Sequence, residues 1–211
     1  MNKTKIEWCD YTINPIKGLC KYSCWYCYAR KMYQRFHWNE EVKLDLTVLD
    51  KIAQIKEPSR IFLCSTHDLF GEWIGDKWIF DIITACHKYP QHKFLLLTKN
   101  PKRYLDFTFR NNFWTGITMT GEAVAKQFKI ANQVFEKFPN GFVSFEPLLN
   151  EYGVIPRNCK WIIIGGLTPS PIHKIEWVDD LLKQADKFKI PVFIKNNAHY
   201  PRIRQEFREI K

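Results

Sequence analysis

Three cysteines, Cys20, Cys24 and Cys27, stand within eight consecutive residues of this 211-residue chain, in the spacing Cys-x3-Cys-x2-Cys. Few chemistries use three crowded thiols. Structural zinc wants four nitrogen or sulfur ligands, usually in two separated pairs, and no second Cys-x2-Cys follows. A redox pair of Cys24 and Cys27 leaves Cys20 without a purpose. The chain has seven cysteines, an odd number, so a disulfide framework accounts poorly for the cluster. A 4Fe–4S cube has four corners, usually each held by a thiolate. Three cysteines would hold three and leave one iron open to an exchangeable ligand. The spacing favours that iron–sulfur reading. Cys64, Cys86 and Cys159 lie in apolar stretches and read as core thiols.

Other candidates sit in polar segments that follow apolar runs. In "STHDLFGEW", Asp68 and Glu72 could take ribose hydroxyls or an ammonium, both of which are donors, while Asp68 could equally cap a turn. In "LLLTKNPKR", Lys99 suits a carboxylate or phosphate. Ser144 and Glu146 alternate with apolar residues in "FVSFEPL", so they share one side of a strand. A carboxylate at a strand end needs a partner, which points to ligand binding or to pairing with Lys195. Gly165 and Gly166 would let a ligand approach the backbone. His67, His173 and His199 are isolated histidines and receive no role.

The elements that must position these residues form a repeating pattern. Strands are expected at "TINPI" (12–16), "EVKLD" (41–45), "RIFLC" (60–64), "KFLLLT" (93–98), "FWTGIT" (113–118), "GFVSFE" (141–146), "KWIIIG" (160–165) and "IPVFIK" (190–195). Helices are expected at "CYARKMYQRF", "LTVLDKIAQI", "DKWIFDIITACHKY", "GEAVAKQFKIANQVFEKF" and "IEWVDDLLKQADKF". The later strands are continuous apolar runs, as in parallel sheets covered by helices. Eight strands alternating with helices predict a single α/β domain over 1–211. Its form is a parallel (β/α) barrel, TIM-like, complete or incomplete, with the site at the C-terminal strand ends. A doubly wound open sheet is the alternative.

The Cys-x3-Cys-x2-Cys spacing, with Tyr26 just before the last cysteine, resembles the radical S-adenosylmethionine superfamily. The resemblance implies that Cys20, Cys24 and Cys27 hold a 4Fe–4S cluster and that S-adenosylmethionine chelates the fourth iron. Reductive cleavage would then release a 5′-deoxyadenosyl radical. Tyr26 would lie over the adenine. More closely, "KIEWCDYTINPIKGLC", "STHDLFGEW", "LLLTKNPKR", "SFEPLL", "WIIIGGLTPSP" and "PVFIKNNA" resemble a phage-protein-like, radical-SAM-like family of unassigned function. The chain reads Leu167-Thr168 where that pattern has Glu-Ser, and Asn196-Asn197 where Gln-Trp is more usual. The candidate cofactor-binding set is therefore Tyr26, Ser65, Asp68, Lys99, Ser144, Gly165 and Gly166. Glu146 and Lys195 are the catalytic candidates.

The net charge of +10 favours a polyanionic partner. The expected activity is thus radical chemistry on a nucleobase, nucleotide or nucleic acid, with a flavodoxin or ferredoxin as reductant. A small metabolite or peptide substrate is one alternative, and a non-catalytic zinc or nucleic-acid-binding module another. The start shows no apolar h-region, and the longest apolar runs are too short to cross a bilayer, so a cytoplasmic location without membrane contact is expected.

Overall fold

The computed structural model describes residues 3–121, 124–151 and 155–207. Among them the strands are β1 (Tyr11–Ile13), β2 (Ile16–Lys17), β3 (Lys43–Leu44), β4 (Arg60–Leu63), β5 (Lys93–Thr98), β6 (Phe113–Thr118), β7 (Gly141–Phe145), β8 (Cys159–Ile164) and β9 (Val192–Ile194). The α-helices are α1 (Tyr28–Phe36), α2 (Asp76–Cys86), α3 (Val124–Lys137) and α4 (Ile175–Phe188). The fold is mixed α/β. The chain divides into two compact units, one of residues 1–100 with 107–113 and one of 101–106 with 114–211.

In the first unit, β1, β4 and β5 run parallel, with Tyr11 opposite Ile61 and Arg60 opposite Lys93. Ile61, Leu63, Phe94 and Leu96 are buried, and α2 buries Ile79, Ile82, Ile83 and Cys86 at helical spacing. The start of β1 is tied to β4 by Asp10. Its carboxylate accepts from the Arg60 backbone N–H at 2.8 Å and from the guanidinium Nε and Nη2 at 3.1 and 2.9 Å.

The expected parallel strand at 41–45 is not formed. Only Lys43 and Leu44 pair, antiparallel to Lys17 and Ile16, in a ribbon outside the parallel sheet. The Glu40 carbonyl accepts from Leu19 N–H, and the Pro15 carbonyl from Asp45 N–H, so the segment folds back over the start of the cysteine loop. The following "LTVLDKIAQ" is a 3₁₀ segment (Leu46–Gln54), not an α-helix. Leu49 and Ile52 are its buried residues, and their spacing of three, continued by buried Ile55 just past its end, matches the three-residue turn of that conformation.

In the second unit, β6, β7, β8 and β9 are parallel and in sequential order. Thr118, Ser144, Ile163 and Phe193 form one row across them, and Phe145, Ile164 and Ile194 continue the next. The far side of β9 is met by the C-terminal segment, with Phe193 opposite Gln205 in an antiparallel bridge. Among the described residues, three strands of the first unit and four of the second pair in parallel, where eight were expected. Among the same residues, β1 pairs with β4 in the first unit and β9 pairs with β8 in the second.

Candidate functional site

Ser65, Asp68 and Lys99 of the first unit, and Glu146, Gly165, Gly166 and Lys195 of the second, lie just past the C-terminal ends of parallel strands, while Ser144 lies within β7 and the cysteine loop follows β2. In the first unit the cysteine loop begins at Gly18. Its φ is +92°, and a Cβ there would run into the Glu41 carbonyl, so glycine is required. Gly18 N–H donates to the Tyr33 hydroxyl of α1 at 2.9 Å, and its carbonyl lies 3.0 Å from His67 Nδ1. The indole of Trp73 donates to His67 Nε2 at 2.8 Å. An indole nitrogen is only a donor, so Nε2 is the bare nitrogen and Nδ1 carries the proton to Gly18. Burial lowers the His67 pKa, which keeps this neutral tautomer. His67 thus positions the loop, a role invisible in sequence beyond its place beside Asp68.

Asp68 is the centre of this unit's site. Its Oδ1 accepts from Phe70 N–H at 2.9 Å and the Thr98 hydroxyl at 2.7 Å, and Oδ2 accepts from Lys99 N–H at 2.8 Å. Burial pushes its pKa up, against the pull of these donors and of the Lys99 charge. Three of the roughly four acceptor positions of a carboxylate are thereby committed to joining the end of β4 to the end of β5. The Lys99 ammonium donates to the Tyr26 hydroxyl at 2.7 Å. Ser65 donates to Asn14 Oδ1 at 3.1 Å, while its carbonyl accepts from the Tyr28 hydroxyl at 2.7 Å. Tyr26, Asp68 and Lys99 form one connected network, and Ser65 is attached to the same loops.

The three cysteines are free thiols of intermediate exposure. Burial pushes the Cys20 thiol up, while the backbone N–H groups of Tyr22 and Asp68 act on its sulfur in the opposite sense. Ser23, between the first two cysteines, has φ +51° and bends the loop. Cys27 is the N-cap of α1, with its N–H on the Cys24 carbonyl at 3.0 Å. Arg30 donates to the Cys20 carbonyl at 3.1 Å and to the Ser23 hydroxyl at 2.9 Å, closing the loop upon the helix. Among the described residues, no group of three or more His, Cys, Asp or Glu side chains is arranged to hold a metal ion. The thiols share one loop without forming a metal centre. Cys64, Cys86 and Cys159 are buried free thiols, and the buried Cys9 thiol lies 3.9 Å from the Ile6 carbonyl.

In the second unit, the Lys195 ammonium donates to the Glu146 carboxylate. Both residues extend the row of Phe145, Ile164 and Ile194 by one, and Gly165 lies between them in that row. A Cβ at Gly165 would stand 3.0 Å from Glu146 Cγ and 3.2 Å from Lys195 Cδ. The missing side chain makes room for the ion pair. Gly166 is likewise covered, by the Asn197 carbonyl and by Pro171 and His173. The Asn197 side chain holds Gly166 on both sides, accepting from its N–H at 3.3 Å and donating to its carbonyl at 2.8 Å. Protein groups thus lie against both glycines of this turn. Ser144 is fully buried, and its hydroxyl has no hydrogen-bond partner. His173 Nε2 lies 3.1 Å from the Ala198 carbonyl, which leaves Nδ1 buried and unpartnered.

A family model described as "Protein of unknown function (DUF5131)" matches residues 3–209, and the chain belongs to that family. No curated protein and no solved structure matches it. The resemblance to the radical S-adenosylmethionine superfamily is therefore corrected. The family that matches is one of unknown function, and the cysteine loop lacks a preformed metal centre among the described residues. The cysteine spacing and the six segments suggested a kinship with that superfamily and with a phage-protein-like, radical-SAM-like family, whereas the family model that matches is of unknown function.

Proposed function

We propose that this DUF5131 protein is an enzyme whose cysteine loop takes up a 4Fe–4S cluster and S-adenosylmethionine. The observation that carries the reading is the donor set: three free, partly exposed thiols on one loop that Arg30 ties to α1. Cys20, Cys24 and Cys27 would hold the cluster. When bound, a cluster of this kind supplies the electron for reductive cleavage of S-adenosylmethionine to a 5′-deoxyadenosyl radical, with a flavodoxin or ferredoxin as the source.

The protein's own residues supply the frame. His67 and Tyr33 hold the loop entrance at Gly18, and Asp68 locks the strand ends beneath it. Lys99 and Tyr26 offer a cation and an aromatic face to an anionic, aromatic ligand. Ser65 belongs to the cofactor-binding set of the first unit; in the second unit Ser144, Gly165 and Gly166 are the ligand-binding candidates and Glu146 with Lys195 the acid–base pair. The architecture this reading calls for is an incomplete (β/α) barrel working at its C-terminal strand ends. The assigned substrate class is a nucleobase, nucleotide or nucleic acid, supported by the net charge of +10. Free thiols and a reductant requirement suit the cytoplasm. No helix among the described residues is long and apolar enough to cross a membrane.

Anaerobic reconstitution with iron and sulfide tests this. The expected product is a brown protein with about four irons per chain, which forms 5′-deoxyadenosine from S-adenosylmethionine under reductant. Cys24→Ala should lose iron and colour together. A colourless protein that binds only zinc, or a Cys24→Ala variant that keeps its iron, refutes the assignment.

A further inference from the structure

We propose that the outward face of the cysteine loop and α1 is a docking surface for single-stranded nucleic acid. This deepens the substrate side of the function proposed above and rests on it for the substrate class. From Tyr11 through Asn39 there is no acidic residue, while Lys17, Lys21, Arg30, Lys31 and Arg35 are all basic. Four large rings are exposed in the same stretch: Trp25 at 64%, Tyr28 and Phe36 at 51%, and Trp38 at 44%. Surface rings of this size usually find cover, and here they lie among exposed Lys21, Lys31 and Arg35.

The arrangement is that of a stacking platform. Tyr28, Lys31 and Arg35 fall at i, i+3 and i+7 of α1, so ring and cations share one stripe. The Arg35 guanidinium lies 5.4 Å from the Phe36 ring centroid, and Phe36 stacks on Trp38 at 5.5 Å and 23°. The opposite side of α1 is already used: Ala29 and Tyr33 are buried. Exposed rings offer π-faces to unpaired bases, and the interleaved cations meet the phosphates between them. A membrane-surface helix instead segregates its aromatic residues from its basic face. A duplex keeps its bases stacked inside and offers the rings little. Charge and ring placement together select an unpaired strand.

The test uses the full chain without added iron or S-adenosylmethionine, and fluorescence anisotropy of a labelled oligothymidylate of about twelve nucleotides. The expected result is tighter binding of this strand than of a duplex of equal length, with little partition onto phosphatidylserine vesicles. Trp25→Ala and Phe36→Ala should each weaken binding about tenfold, and Trp25→Phe should retain it. Lys31→Ala with Arg35→Ala should lower the slope of log affinity against log salt by about 1.4, or about 0.7 for each phosphate left without its cation. Wild-type affinity in Trp25→Ala, preference for duplex, or binding to vesicles alone would overturn the proposal. Oligonucleotide binding by a chain that takes up no iron supports this surface while sinking the cluster assignment. An iron-loaded chain indifferent to the oligonucleotide does the reverse.

Discussion

Asp68→Asn separates a structural carboxylate from a ligand-binding one. The substitution keeps the size of the side chain but replaces one acceptor oxygen by an NH2 group. If the amide oxygen faces Phe70 N–H and the Thr98 hydroxyl, the NH2 group meets Lys99 N–H, donor against donor. Losing a hydrogen bond to a charged acceptor costs about 1.5–3 kcal/mol. Removing the charge relieves the burial penalty that pushes the Asp68 pKa upward, which works the other way. A net loss of about 1–2 kcal/mol follows, or roughly 2–8 °C in the midpoint for a chain of this size.

The pH dependence carries the sign. A raised folded pKa means that the native state holds a proton where the unfolded chain, near the ordinary value of 3.8, has lost it. Wild-type stability therefore falls as pH rises from that value through the raised one, and Asp68→Asn lacks this limb. The stability gap between wild type and variant should narrow with rising pH across that window. Thermal unfolding of both proteins followed by circular dichroism from acid to neutral pH reads the gap directly, because other groups titrate alike in both. A gap that widens with pH would refute the argument. So would equal stability within about 0.5 kcal/mol combined with abolished S-adenosylmethionine binding, which would make Asp68 a ligand rather than a tie.

Gly18→Ala should lower the unfolding midpoint by more than about 6 °C, since it adds left-handed backbone strain to a collision with the Glu41 carbonyl. An unchanged melting curve would mean that the loop entrance relaxes freely. Lys195→Met leaves the partly buried Glu146 carboxylate without its cation and should cost about 1–3 kcal/mol. Adding Glu146→Gln should cost less than the sum of the two single changes, and additive urea midpoints would show that the pair is not coupled.

The parallel strands were legible because they are continuous apolar runs: "KFLLLT" and "FWTGIT" form strands over the residues expected. "EVKLD" misled for the opposite reason. Its alternation of charged and apolar residues fits a half-buried parallel strand, but only two of its residues pair, and they do so with β2. Asp68 and Lys99 were both expected just past strand ends, where they meet, whereas Tyr26 was singled out only by the resemblance. The role of His67 was not legible, since it depends on an indole six residues away and on a carbonyl 49 residues away. The glycines show a further limit. Gly165 and Gly166 mark close approach, and sequence does not name the protein groups that come near them, Glu146, Lys195 and Asn197.

The C-terminal segment along β9 has a consequence for how the protein can be handled. Ile194 N–H donates to the Arg204 carbonyl at 2.6 Å, Glu206 N–H to the Val192 carbonyl at 2.9 Å, and the Trp161 indole to the Glu206 carbonyl at 3.0 Å. These bonds occupy groups that an edge strand would otherwise offer to a second molecule. The segment therefore acts as a gatekeeper against sheet-to-sheet association. Removing 204–207 would convert β9 into an adhesive margin, and the first symptom would be self-association rather than loss of fold. It would also unseat the strand from which Lys195 projects.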